Sequence, residues 1–191
     1  MQGRGDRDIP EYPLLCFLTD IQMEAIIKDL RGFTPKIGKN CFIAENAVVL
    51  GDVTIGDDCS IWYCTVLRGD VNTIKIGDRV NIQDGAVVHT LYQRSVTEIG
   101  NDVSVGHNAV IHGAKIGNNV LVGMGAIVMD NAVVEDNTII AAGSVVLSNA
   151  VLDSGVWAGV PAKKVKDAGE AIAAAAHKNA QGYMIYKDWY K

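Results

Sequence analysis

The sequence predicts an all-β solenoid, a parallel β-helix built from six-residue repeats and followed by a C-terminal α-helix. Three observations carry this prediction. Aliphatic residues recur every six positions at Ile37, Ile43, Val49, Ile55, Ile61 and Leu67. The march returns at Ile76, Ile82 and Val88, at Ile99, Val105 and Ile111, and then unbroken from Ile116 through Val122, Val128, Val134, Ile140 and Val146 to Leu152. Many of these aliphatics are followed by Gly and then Asp or Asn, as in Ile55-Gly56-Asp57 and Ile99-Gly100-Asn101. The composition holds 20 Gly but only 4 Pro and 6% aromatics, the profile of many short strands joined by tight turns. A period of six cannot be helical over this length. One short strand and one turn per hexad fits it, with three hexads closing an 18-residue triangular coil. The aliphatics of successive coils then stack into one continuous core.

Taken in chain order, residues 1–32 read as an N-terminal extension and lead-in. They open on Gly, Arg and Asp, and Asp20 to Leu30 reads as a short helix. Met23 stands close before the repeat, so residues 1–22 are expected to be a dispensable extension. Residues 33–166 hold the repeat. Two irregular steps, nine residues after Leu67 and eleven after Val88, predict loops bulging at corners of the coil. The repeat stops from Gly159, and Lys163-Lys164-Val165-Lys166 reads as its solvated end. Residues 167–191 form the C-terminal helix: Glu170 to Tyr190 is alanine-rich, with Gly182 as its weak point. Tyr183, Tyr186 and Tyr190 have helical spacing and are expected to pack on the solenoid.

Composition excludes several functions. The 191 residues carry 17 Lys+Arg against 22 Asp+Glu, a net charge of −5, and are 49% hydrophobic. That is too apolar for a disordered chain and too acidic for a binder of nucleic-acid backbone. No apolar run approaches the ~20 residues of a membrane span. The run Leu14-Leu15-Cys16-Phe17-Leu18 is shorter than the ~7–15-residue core of a signal peptide and has no small-residue cleavage site. The expected location is cytoplasmic, away from membranes. The four cysteines, Cys16, Cys41, Cys59 and Cys64, then read as reduced, small buried side chains. Cys41 and Cys59 stack 18 residues apart, and no Cys-x-x-Cys pair suggests a thiolate metal site.

Assigning hexads to faces A, B and C in turn from Ile37 places chemistry on the solenoid. The residue after each inward aliphatic points outward. On face C these are Arg68, His89 and His112, and the 23 positions between the histidines equal one coil plus five inserted residues. On face B, Asp84 and His107 share a ladder, and Gln83 neighbours Asp84. Three of the four histidines therefore fall on two adjacent ladders, whereas His177 lies in the tail. Three imidazoles form a zinc-type set with a coordination position left for water. His107 is on a different face from His89 and His112, so one chain cannot easily bring all three to one ion. Two solenoids side by side can, and head-to-tail contacts between triangular prisms close as a ring of three. A homotrimer with three interfacial metal sites is expected.

Arg68-Gly69-Asp70, Asn81-Ile82-Gln83-Asp84-Gly85, His89 and Gly106-His107-Asn108-Ala109-Val110-Ile111-His112-Gly113 together resemble the signature of the γ-class carbonic anhydrase family. This family belongs to the hexapeptide-repeat superfamily of left-handed parallel β-helices. The resemblance covers roughly residues 33–166. It implies a left-handed coil and a zinc, iron or cobalt ion bound by His89, His107 and His112, two ligands from one subunit and one from the next. It also implies a zinc-dependent lyase activity in which a metal-bound hydroxide attacks CO₂ to give bicarbonate. Residues matching Arg68 and Asp70 form an ion pair across the trimer interface, and those matching Gln83 and Asp84 hydrogen-bond near the metal-bound water. Arg68 would support substrate charge or simply hold the interface. Asp84 would serve His107 as an acceptor. Tyr183 is loosely similar in position to a family tyrosine near the metal, but packing in the core or interface is the preferred reading.

The archaeal type of γ anhydrase carries a long acidic loop with a glutamate proton shuttle after the first histidine. Here the stretch from His89 to Ile99 is short, and its single acid, Glu98, abuts the next strand. Slow or absent turnover is expected. Gly159-Val160-Pro161-Ala162-Lys163 is similar to a motif shared with hexapeptide acyltransferases. The alternatives are therefore an acyl-CoA-dependent acyltransferase and a non-catalytic metal-binding assembly subunit.

Overall fold

The computed structural model describes residues 24–190. The reading of Cys16, of residues 1–22 and of Met23 as a start lies outside the described residues. From Lys36 onward, short strands follow one another through about seven coils, each pairing in parallel with its counterpart one coil away. Of the predicted rungs, all from Val49 to Leu152 are buried, and Ile37 and Ile43 pack partly buried on the first coil. The stacking is in register. Ile61 pairs with Ile82, Val105 with Val122, and Ile111 with both Val88 and Val128. Asn and Asp dominate the corners because the chain turns there through positive φ, as at Asp58, Asn108, Asn119 and Asn131. These are the non-glycine residues that tolerate that region best.

Two expectations about irregular segments need correction. The nine-residue step after Leu67 is not a bulging loop. Val66–Ile76 is one eleven-residue strand that runs through the corner from face C to face A beside Val48–Ile55. Its extra residues are absorbed by a register shift opposite Gly51 and Val53. They stay extended because side chains pin them: Thr73 Oγ1 donates to Asp52, and Asn72 Nδ2 donates to the Ser95 carbonyl at 2.8 Å. The second insertion, residues 90–96, is a loop, as its spacing predicts. The Asp20–Leu30 segment, where described, is not helical. Ile26–Lys28 is a strand paired with Val48–Leu50. The open edge of the first coil offers backbone partners, and β-branched Ile26 and Ile27 suit a strand.

The far end closes differently. Gly155–Gly159 adds a parallel strand, and Ala162–Asp167 folds back on it antiparallel. This last strand carries Lys163, Lys164 and Lys166 on its edge, where charge discourages further pairing. The helix Glu170–Tyr186 then returns along face B towards the first coil. Gly182 does not break it. Ile172, Ala176 and Ala180, four residues apart, form its buried stripe. Tyr183 packs edge-on against Trp62, and Tyr190 reaches Phe42, Trp62 and Tyr63, as expected. Tyr186, expected to pack there too, is exposed and meets the tail's own Tyr183 and Trp189 rings. A 3₁₀ turn, Lys187–Tyr190, follows the helix, and its first residue is buried, with Lys187 Nζ donating to the Asn40 carbonyl at 2.7 Å. Of the described cysteines, Cys59 is buried and Cys41 partly so. Cys64, expected to be buried, instead occupies an exposed corner at φ 59°.

The three faces differ in what covers them. Face A points Lys36, Thr54, Lys75, Glu98 and Lys115 outward, and then Val133 and Val151 at its far end. Face B is covered by the chain's own helix. Face C presents an unbroken outward ladder of Val48, Val66, Val87, Val110, Ile127 and Val145, each at least partly exposed.

Candidate functional site

The site grows from that apolar face. His89 and His112 are direct partners on adjacent rungs, and each follows a buried aliphatic, Val88 and Ile111. Strand alternation therefore aims both imidazoles outward, side by side. His89 Nδ1 lies 3.0 Å from His112 Nε2. The far nitrogen of each ring meets a carboxylate: His89 Nε2 is 2.9 Å from Asp70 Oδ1, and His112 Nδ1 is 2.9 Å from Asp130 Oδ1. Asp70 is also held by Arg68, 2.5 Å away within the same chain.

Protonation follows from the partners. A carboxylate only accepts, so the hydrogens sit on His89 Nε2 and His112 Nδ1. The remaining lone pairs then face each other at 3.0 Å. Two acceptors that close repel unless a cation, metal or proton, lies between them. Two nitrogens binding one tetrahedral ion at ~2.0–2.1 Å stand roughly 3.3 Å apart, so the pair fits a zinc-type ion with a small shift.

The local electrostatics agree. Burial pushes the His89 imidazole below its ordinary value despite the Asp70 carboxylate, which favours the neutral ring that a ligand must be. Burial pushes the Asp70 and Asp130 carboxyls up. Hydrogen bonds from Arg68 and His89 to Asp70, and from Ser95 and His112 to Asp130, outweigh it and hold both below the usual carboxylate range.

His107 is not on the flat of face B. It sits in the turn where face B meets face C, one coil beyond Asp84, with Nδ1 2.8 Å from Asp84 Oδ2. Its ring and Gln83 help line a cavity of about 280 Å³, with Tyr183 and Asn179 of the helix on the opposite wall. Gln83 is buried and donates to Asn81, which donates to Ser104, so a polar ladder beneath the helix sets its orientation. Burial, and then the Asp84 charge, push the Tyr183 phenol up to about 12. Tyr183 thus both packs on Trp62 and faces the His107 cavity. His177 is exposed on the helix, outside this set.

The structure thus brings Arg68, Asp70, His89 and His112 together, and separately Gln83, Asp84 and His107. Among the described residues, no group of three His, Cys, Asp or Glu within one chain is placed to hold a metal. Sequence reasoning missed Asp130 and Ser95. One coil beyond His112 is 17 residues here, since Ile111 pairs with Val128, and lands on Met129; Asp130 is one residue further on, in the turn.

Residues 34–69 and 113–148 match the bacterial transferase hexapeptide family (six repeats). Protein YrdA of Escherichia coli is 41% identical over 175 residues, covering 88% of this chain and 95% of that protein. Gamma carbonic anhydrase 2, mitochondrial, of Arabidopsis thaliana is 44% identical over 157 residues. That match covers 79% of this chain but 56% of the plant protein. A hexapeptide transferase family protein of Anaplasma phagocytophilum superposes with a TM-score of 0.81 at 42% identity, over 87% of this chain and 98% of that one. The coil is the left-handed parallel β-helix of this fold.

Proposed function

The chain belongs to the γ-class carbonic anhydrase-like family of hexapeptide-repeat proteins, and from that premise we propose that it is a homotrimeric metalloprotein hydrating CO₂ reversibly to bicarbonate. The convergence of His89 Nδ1 and His112 Nε2, each ring held by a carboxylate on its far side, carries the reading. In this reading His89 and His112 of one chain and His107 of its neighbour hold zinc, with iron or cobalt as substitutes. When bound, the ion supplies the Lewis acidity that makes water a nucleophile near neutral pH.

The chain's own residues do the rest. Asp70, Asp130 and Asp84 orient the three imidazoles. Gln83, fixed by Asn81, orients water beside His107. Arg68, paired with Asp70, places positive charge at the edge of the histidine pair, where a bicarbonate product carries its negative charge.

Assembly into a trimer is supported by face C. Its valine ladder flanks the histidine pair, and an apolar stripe of that length on a soluble chain marks an interface. Face A is mostly charged or polar, with Val133 and Val151 only at its far end, and face B is already covered, which favours face C for a second copy whose B–C corner delivers His107. No helix among the described residues is long and apolar enough to cross a membrane, and we assign the protein to the cytoplasm.

Turnover is expected to be slow. The loop at residues 90–96 contains no acid, and Glu98 is committed to Lys115 at 3.2 Å on face A. Stopped-flow CO₂ hydration on protein of measured metal content tests the proposal. Hydration above buffer that disappears in His89→Ala supports it, whereas metal-replete protein with no hydration removes the hydratase assignment.

A second reading has its own observation. The His107–Asp84 pair opens on a cavity, the arrangement a histidine base needs for acyl transfer from an acyl-CoA. Acetyl-CoA binding that survives chelation and depends on His107, but not on His89, would favour that reading. A protein that binds metal and shows neither activity would be an assembly subunit.

A further inference from the structure

We propose that Asp130, braced by Ser95 of the 90–96 loop, is a positioning residue that fixes the His112 ring with its proton on Nδ1 and Nε2 turned towards His89. The inference rests on the metal-site reading for its purpose but not for its geometry. One oxygen of Asp130, Oδ1, takes two hydrogen bonds, from His112 Nδ1 at 2.9 Å and from Ser95 Oγ at 2.7 Å. Ser95 Oγ itself accepts from the Leu91 backbone N–H at 2.9 Å. With its lone pair engaged there, the serine hydroxyl directs its hydrogen at the carboxylate.

The brace also explains Gly113. A Cβ at that position would lie 1.9 Å from Ser95 Oγ and 2.5 Å from Asp130 Oδ1, so the residue after His112 must leave the space to them. The Ser95 carbonyl is in turn held by Asn72 Nδ2 at 2.8 Å, from the corner-crossing strand. Both insertions that interrupt the six-residue march therefore meet at Ser95. In this chain the second insertion carries no acid to relay protons, and its hydroxyl instead sets the orientation of one imidazole. Because Asp130 touches only the back of the ring, its effect on a bound ion passes through His112.

The test uses the full chain, labelled with ¹⁵N-histidine, and two readouts. Long-range ¹H–¹⁵N correlation spectra of the metal-free protein report the tautomer of His112. The wild type should show the proton on Nδ1. Asp130→Ala should release it to the Nε2–H form or a mixture, with Asp130→Asn and Ser95→Ala between the two. Cobalt(II) binding, followed by its visible absorption against a competing chelator, should weaken by about 10–100-fold in Asp130→Ala. It should weaken less in Asp130→Asn, and not at all in Asp102→Asn, a change in the distant Arg79–Asp102 pair. Should Asp130→Ala fail to fold, Asp130→Asn and Ser95→Ala carry the same comparison. An Nε2–H tautomer in the wild type, or an Nδ1–H tautomer unmoved by every variant, overturns the proposal. If the tautomer shifts as stated but the wild type takes up no cobalt, the positioning role stands and the metal reading falls.

Discussion

His89 and His112 sit on neighbouring rungs with Nδ1 of one 3.0 Å from Nε2 of the other, and each turns its remaining nitrogen to an aspartate, Asp70 and Asp130. The two carboxylates bracket the pair from opposite sides, Asp70 from the coil before His89 and Asp130 from the coil after His112. Neither carboxylate stands on the histidines' own ladder, whose next rungs are Arg68 and Met129: Asp70 lies two residues past the one and Asp130 one residue past the other. Within one chain the bracket holds two imidazoles, and His107 lies apart from them beside Asp84.

Assembly should depend on the valine ladder. Val87→Asp or Val110→Asp places a carboxylate in the middle of face C, where packing against a second chain would bury it unpaired at a cost of several kcal/mol. The solenoid core lies on the other side of the strand, so circular dichroism should keep its β signature. Light scattering should fall from three times 20.4 kDa towards one chain. A trimer unchanged by both variants would move the interface elsewhere.

Stability should depend on the rungs rather than on the site. Ile111 is fully buried beneath His112. Ile111→Ala should cost about 2–5 kcal/mol in denaturant unfolding, since neighbouring coils cannot collapse into the gap. His112→Ala, on the outward side of the same strand, should cost far less. Equal losses would mean that the imidazole belongs to the core.

Acid should loosen the tail. The Asn40 amide holds the Asp58 carboxyl below the usual carboxylate range, Lys187 adds to this, and burial opposes both. A depressed folded value contributes stability that is full above the unfolded carboxylate value of ~3.9 and is lost as pH falls through the lower folded one. Docking of Lys187–Tyr190, read from the fluorescence of Trp189 and Trp62, should hold at neutral pH and weaken below about pH 4. Asp58→Asn should remove that acid step. A tail that loosens first on raising the pH would contradict the sign.

The rungs were legible because a buried aliphatic every six residues has one explanation, and the histidine ladder because 23 residues equal a coil plus its insertion. The same arithmetic carried one coil further reaches Met129, so Asp130, one residue on in the turn, is not marked by the ladder. Ser95 is harder: it lies in a loop, where no repeat fixes direction, and joins Asp130 only through the fold of residues 90–96. The strand at Ile26–Lys28 was hidden because its partner is an exposed coil edge, not a pattern in its own residues. Val66–Ile76 concealed its continuity because an interrupted period looks the same whether the chain loops out or runs straight on. Lys187 gave no signal at all, since a lysine is ordinarily exposed, and only the return of the helix to the first coil buries it against Asn40.

Subunit mixing tests the shared metal site most directly. His107→Ala and His89→Ala chains, each purified metal-poor, are combined and allowed to exchange. A mixed trimer then contains at least one interface where an intact His107 meets an intact His89–His112 pair. The account predicts that zinc or cobalt uptake, negligible in either variant alone, returns in part on mixing. Proven exchange with no return of metal would mean that the three histidines do not form one site between chains.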